Sequence, residues 1–383
     1  RLQVGALPRT QVVSCMQAAA GGSASAGRNG APAGGLSGEP PSVGSAVGLS
    51  HTLPRGHACR YITECYVGMR DDTARTASYR RAIVAAAAGR VVVDIGTGAL
   101  ALLAIIAAEA GAKHVYAIEV QPAAAAAARI AVAAAGLSHR ISVIEAFSVG
   151  LLLPVKAQLL VHELIGEIAG EEGVVQAIHD MCARNMTQLD CASPCSVPSR
   201  ARTLLAPCEY PDAQYTLRHP SALLSLPGSA SALKLPTLPD YMKLAVPQAF
   251  EDLLFDAAAP RARQNSELHF TISRAGALCG LALHIELHCG VSAGNDPPDV
   301  SSAWSGSHWQ NVLFLFDERK TPVYKGQLVR VLTSCRLDGS APCYSFEALL
   351  QVEQGWQLLG KHLYPEVSLN CNDMADFLMG YSE

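Results

Sequence analysis

The 383-residue chain lacks a basic run, a long apolar run and a compact cysteine framework, and each absence removes a class of function. Its formal net charge of -4 is spread along the chain, so there is no electrostatic footprint for nucleic acid, and direct nucleic-acid binding is not expected. A positively charged peptide is the more natural partner. The longest apolar stretch, at 99–108, meets Glu109 well short of the roughly 18 residues a membrane span requires, so a soluble protein without a membrane partner is expected. Twelve cysteines are scattered from Cys15 to Cys371 with no recognisable signal peptide, which predicts reduced thiols in an intracellular compartment, cytoplasm or nucleus.

What is present is apolar bulk. Half of the residues are hydrophobic, enough to bury a large core and to build two domains. Residues 1–55 stand apart: rich in Gly, Ala, Ser and Pro, with Glu39 as their one acid, they show no apolar period and are expected to be disordered. Arg1, Arg9, Arg28 and Arg55 also give this tail a transit-peptide flavour, so organelle targeting is an alternative to a plain tail.

From 56 to 198 short Val/Ile runs alternate with Ala-rich stretches, the pattern of βαβ units around a parallel sheet. Strands are predicted at 90–95, 114–119, 140–145 and 157–162, with helices at 100–110 and 122–135 stopped by Gly111 and Gly136. After Pro198 the texture changes to alternating apolar and polar residues, as at 281–289 and 311–316, which predicts an antiparallel barrel or sandwich over 199–383. The Pro-, Leu- and Ser-rich stretch 211–265 reads as an arm or a long insertion. The fold class is therefore α/β, a Rossmann-like domain followed by an antiparallel β domain.

Three motifs carry chemistry. Gly96 and Gly98 follow the first predicted strand and remove side chains where backbone amides can approach a ligand. Glu119 lies 21 residues beyond Gly98, at the end of the second strand, where an acid can accept hydrogen bonds from ribose hydroxyls. On spacing alone a dinucleotide and S-adenosylmethionine compete for this site, and a purely structural turn is a third reading. Glu163 and Glu172 stand nine residues apart across a segment containing Gly166 and Gly170, so a hairpin can aim both carboxylates at one cation, and a planar guanidinium satisfies both. Glu167 and Glu171 share the segment, and a solvated acidic loop is the competing reading. Ser307, His308 and Trp309 precede the strand at 311–316; they suit either an aromatic wall with a proton acceptor or ordinary packing.

The order of these motifs resembles the protein arginine N-methyltransferase family over about residues 64–335, as a divergent member. Residues 69–83 are similar to the family's N-terminal helix that closes over the cofactor, 197–207 to its crossing into the β-barrel, and 307–316 to its Thr-His-Trp loop and following strand. The resemblance implies a Rossmann-like domain joined to a β-barrel, S-adenosyl-L-methionine as cofactor, no metal, and methyl transfer to the guanidinium of arginine in protein substrates such as histones or RNA-binding proteins, with a homodimer as one assembly. It further implies that Arg75 pairs with the cofactor carboxylate, Gly96 and Gly98 line the cofactor, Glu119 holds its ribose, and Met69 packs near the reacting centre. Glu163 and Glu172 would grip the substrate guanidinium, Asp72 and His308 would form a dyad that accepts or relays the proton, and Trp309 would wall the arginine pocket. The chain departs from the family pattern at Leu100, where a third glycine is usual, at Ser148 and Val149, at Gln158, and at His162, with Tyr66 partly replacing a Tyr-rich helix start. A catalytically weak binding scaffold and a methyltransferase for another substrate remain open alternatives.

Overall fold

The computed structural model describes residues 63–365, apart from 188–194, 220–223, 226–231, 256–259, 292–295, 317–319 and 339–341. The tail at 1–55 lies outside the described residues. Two helices, α1 (Thr63–Asp71) and α2 (Thr73–Ala86), occupy the stretch read as the N-terminal helix, with a break at Asp72. The break has a local cause: Asp72 is extended (φ -66°, ψ 92°) and its carboxylate accepts a hydrogen bond from Arg75 N, so it starts a new helix rather than continuing the old one.

The parallel sheet follows the predicted runs closely. Its strands are β1 (Val91–Ile95), β2 (His114–Glu119), β3 (Ile141–Glu145), β4 (Leu159–His162) and β5 (Ser196–Val197), in the order β3-β2-β1-β4-β5. Strands β1 and β4 are buried throughout, as expected of central strands covered on both faces, whereas the edge strand β3 is partly exposed. The connecting helices are α3 (Leu102–Glu109), α4 (Pro122–Ala134) and α5 (Val174–Asn185). Gly111 and Gly136 take φ of +90° and +70° just past α3 and α4, the left-handed turn that ends a helix.

The antiparallel half consists of two sheets. One contains Arg200–Glu209 paired with both Gly276–His288 and Gln248–Leu254; the other runs Arg263–Thr271, Leu328–Arg336, Cys343–Val352 and Gly355–Tyr364. They face one another across an aromatic contact layer, in which Phe346 of the second sheet lies 5.1 Å from both Phe250 and Phe314 of the first. Part of the stretch that reads as an arm belongs to these sheets. Gln248–Leu254 and the start of Arg263–Thr271 are barrel strands, and Ala232–Leu235 pairs with Asn311–Leu315. Proline and serine interrupt the period-two pattern there, which hides strands that long-range pairing stabilises.

Among the described residues no helix is long and apolar enough to cross a membrane, and the seven cysteines with described side chains form no disulfide with one another.

Candidate active site

The sheet order places the two principal motifs side by side. From β1 the chain builds outward through β2 and β3, then returns to add β4 on the other side, so the crevice at the carboxyl ends of β1 and β4 is the switch point of the sheet. Ile95 at the end of β1 pairs with His162 at the end of β4. The glycine turn and the acidic hairpin therefore leave adjacent strand ends.

The turn is held by backbone and acids. Gly96 N and Thr97 N each donate to Ile118 O at 3.0 Å, while Gly98 N donates to Glu119 Oε2 at 3.0 Å and Gln121 N to Glu119 Oε1 at 2.8 Å. Beneath it Thr97 Oγ1 donates to Asp94 Oδ2 at 2.7 Å, and complete burial lifts the Asp94 carboxyl to about 7. Gly96 and Gly98 have φ of +72° and +65°, and a Cβ would sit 2.8 Å from Leu164 Cδ2 at the first and 2.7 Å from Tyr66 Cε1 at the second. The turn thus touches the hairpin through Leu164 and helix α1 through Tyr66. Leu100 escapes the strain that a missing third glycine suggests, because the left-handed conformation falls on the next residue, Ala101, at φ 45°.

The break at Asp72 organises the other wall. Asp72 Oδ2 accepts from His308 N at 3.0 Å and faces His308 Nδ1 at 2.9 Å, across 236 residues of sequence. Burial alone would raise the Asp72 carboxyl, but the hydrogen bonds from His308 and Arg75 N outweigh it and leave the pKa below the ordinary value. One turn on, Arg75 Nη2 lies 2.7 Å from Glu163 Oε2, and Nη1 reaches the Met69 carbonyl at 3.4 Å. Burial opposes the charge on Arg75; Glu163 more than compensates, and the guanidinium pKa rises. The Arg75 guanidinium also stands over the ring of Tyr79, 5.2 Å from its centre.

The hairpin is not a solvated acidic loop. Glu163 is bound to Arg75, Glu167 pairs with Lys234, and Glu171 turns inward so that its Oε1 accepts from Glu167 N at 2.6 Å. Burial, and then the neighbouring charge of Glu167, drive the Glu171 carboxyl well above the usual range. Glu172 follows it, half-buried, at the end of the hairpin. Trp309 joins the histidine loop to this hairpin, with Nε1 donating to Ile165 O at 2.7 Å and its ring 3.9 Å from that of His308. Met69, Asp72, Arg75, Glu163, His308 and Trp309 are therefore linked by direct contacts, and Gly96, Gly98 and Glu119 join them through Leu164 and Tyr66.

Two departures from the family pattern acquire explanations. Gln158 Oε1 accepts from Val91 N at 3.1 Å, tying the approach to β4 onto β1. His162 is completely buried with its ring edge against Phe255 at 4.7 Å, neither ring nitrogen has a partner among the described residues, and desolvation pushes its pKa to about 3. Sequence patterns did not mark Leu164, Thr203 or Glu251, all of which touch the turn or the hairpin. Their residue types carry no spacing signal, and Thr203 and Glu251 are brought together by strand pairing.

No family model matches the chain. Among curated proteins it is 37% identical over 112 residues to "Probable histone-arginine methyltransferase CARM1" of Oryza sativa subsp. indica, covering 28% of this chain and 21% of that protein. It is 31% identical over 147 residues to "Probable protein arginine N-methyltransferase 6" of Arabidopsis thaliana, covering 38% of this chain and 32% of the relative. The chain thus matches about a fifth to a third of the length of these relatives. Among solved structures, Arabidopsis thaliana protein arginine methyltransferase 10 superposes with a TM-score of 0.62 at 18% identity, over 79% of this chain and 97% of that one. The chain thus shares the fold of the protein arginine methyltransferases. The Trypanosoma brucei PRMT1 enzyme-prozyme complex, solved as a heterotetramer with AdoHcy, gives a TM-score of 0.60 at 19% identity over 78% of this chain and 96% of that one. In this methyltransferase-like fold the Rossmann-like sheet and the antiparallel barrel are the two halves that meet at the crevice described above.

Proposed function

We propose that this chain is an S-adenosylmethionine-dependent methyltransferase that modifies the guanidinium of arginine in protein substrates. The observation that carries the reading is the Asp72–His308 pair, at 2.9 Å, held against the carboxylate hairpin by the Trp309–Ile165 hydrogen bond. Residues 236 positions apart converge there on the switch-point crevice.

The residues fit the cofactor. Arg75 is a buried cation whose Nε has no partner among the described residues, suited to a carboxylate, and Glu119 spends one acceptor position of each oxygen on backbone amides, leaving lone pairs for ribose hydroxyls. Gly96 and Gly98 bring no side chains of their own to the turn, where Leu164 and Tyr66 pack against them. When bound, S-adenosylmethionine supplies an electrophilic methyl group. The chain supplies alignment and electrostatics. Glu163 and Glu172 hold the guanidinium and draw its positive charge toward their side, leaving the far nitrogen more nucleophilic. With His308 Nδ1–H donating to Asp72, Nε2 carries the lone pair, and this buried atom has no partner among the described residues. It is placed to take the proton released as the nitrogen becomes methylated. Self-association belongs to the same proposal, in line with the heterotetrameric trypanosome relative.

A second reading, a catalytically weak binding scaffold, is favoured by the strained Ala101 beside the position of the missing glycine. Incubation with labelled S-adenosylmethionine and a Gly-Arg-rich peptide, followed by hydrolysis, separates the two. Methylated arginine is expected, and it should vanish in Glu163→Gln and Glu172→Gln. Cofactor binding by calorimetry without any methylated arginine would favour the scaffold; unchanged methylation in both variants would defeat the guanidinium assignment.

A further inference from the structure

On the barrel side of the acidic hairpin lies a carboxylic acid outside every motif read above. Glu251, in the strand Gln248–Leu254, is fully buried. Its Oε2 accepts from Thr203 Oγ1 at 2.5 Å and from Gly170 N at 3.4 Å, and its Oε1 accepts from Tyr344 Oη at 3.0 Å. Thr203 Oγ1 in turn accepts from Ala169 N at 2.9 Å. Two consecutive backbone amides of the hairpin, between Glu163 and Glu172 and nearer the latter, are thus bound by barrel side chains. The fit is close: a Cβ on Gly170 would lie 2.5 Å from Glu251 Oε1 and 2.9 Å from Tyr344 Oη.

A barrel core selected for stability alone would place an apolar side chain here, because a buried carboxyl gives up hydration that its hydrogen bonds only partly restore. Phe250 and Leu337 are buried nearby, and the Cys335 thiol is within electrostatic reach. Burial raises Glu251 to about 7 against the hydrogen bonds from Thr203, Tyr344 and the hairpin amides, so the site tolerates the acid at a cost. The return is geometric. Hydrogen bonds impose direction, which apolar packing does not, and here they fix the bend of the segment that carries the two glutamates.

We propose that Glu251, with Thr203 and Tyr344, is a positioning residue that sets the span between Glu163 and Glu172 and thereby the grip on a guanidinium. The proposal rests on the arginine reading of the hairpin. Glu251 acts through the backbone at 169–170 and touches neither reacting partner.

The test combines amide hydrogen exchange with binding of a Gly-Arg-rich peptide in the presence of S-adenosylhomocysteine. In Glu251→Ala and Thr203→Val, exchange at Ala169 and Gly170 should quicken by about tenfold or more and peptide affinity should fall by about tenfold, the scale of one lost buried hydrogen bond. Affinity for S-adenosylhomocysteine should hold within about threefold, since the turn and Glu119 are untouched. Glu251→Gln should behave as the parent, because its carbonyl can accept from Gly170 N and Thr203 while its amide donates to Tyr344 Oη. If Glu251→Ala does not fold, Thr203→Val carries the test. Unchanged exchange, unchanged peptide affinity, or equal losses in the Ala and Gln variants would overturn the proposal. Failure of the parent protein to bind the peptide would instead defeat the arginine reading, and the exchange measurements would still decide whether the clamp exists.

Discussion

Arg75 Nη2 and Glu163 Oε2 stand 2.7 Å apart, with side chains only 4% and 7% exposed, joining helix α2 to the first residue after β4. A pair this deeply buried is costly to break from one side, because the remaining charge has no solvent to return to. Arg75→Met should therefore lose about 3 kcal/mol or more of unfolding free energy, and adding Glu163→Leu should restore much of it. Chemical denaturation of the two singles and the double measures this coupling; additive losses would show that the pair is electrostatically idle.

The Asp72–His308 contact predicts a pH signature. The folded-state pKa of Asp72 lies below its ordinary value of 3.8, so the folded state binds fewer protons than the unfolded state around and below that value. Its stabilising contribution is complete above 3.8 and is lost as pH falls through the folded pKa. Asp72→Asn can still cap α2, yet should show a shallower acid-unfolding slope in that window, whereas Asp72→Ala should also lose about 1 kcal/mol of capping at neutral pH.

Strain at the glycine turn sits at one residue and not at its neighbour. Ala101→Gly should stabilise the fold by about 0.5–1 kcal/mol, offset in part by the loss of a buried methyl, because it relieves the left-handed conformation at φ 45°. Leu100→Gly, which restores the family's third glycine, should give no such gain. Equal effects of the two substitutions on melting temperature would contradict this placement.

His162 buries two unpartnered nitrogens, and its folded pKa of about 3 lies well below the ordinary 6.5. Between these values the unfolded chain binds the extra proton, so stability should decline as pH falls from 6.5 toward 3. His162→Leu should flatten that decline and leave stability at pH 7 unchanged or raised by about 1 kcal/mol. A variant that unfolds more readily at both pH values would mean that the imidazole has a partner.

Trp309 tests the join between the two halves of the crevice. Trp309→Phe keeps most of the ring but leaves the Ile165 carbonyl without its 2.7 Å donor, and should cost about 1–3 kcal/mol. Peptide KM should rise with it, since the hairpin loses an anchor from the histidine loop. Unchanged stability and KM would reduce Trp309 to a filler of space.

The parallel half was legible because its signals are local. Val91, Val92 and Val93 run consecutively into a glycine turn, and Gly111 and Gly136 mark helix ends whatever surrounds them. The barrel was less legible. Gln248–Leu254 is a strand because Arg200–Glu209 pairs with it, a partner about fifty residues away that no local pattern announces. In the site, spacing pointed to Glu163 and Glu172 and the family resemblance to His308, but spacing could not tell an acidic loop in water from a hairpin in which Glu163 is paired and Glu171 turns inward.

The sequence by itself determined which chemistry was available: glycines where a turn needs positive φ, carboxylates nine residues apart, and a histidine beside a tryptophan. Only the tertiary structure decided how those groups are spent. Asp72 became both helix cap and histidine partner, Arg75 became the counterion of Glu163, and Glu251, an unremarked acid in a barrel strand, came to hold the hairpin. The reason is physical. Burial and pairing set the charge and direction of a side chain, and both depend on neighbours that the chain brings together only when the sheet and the barrel close around the crevice.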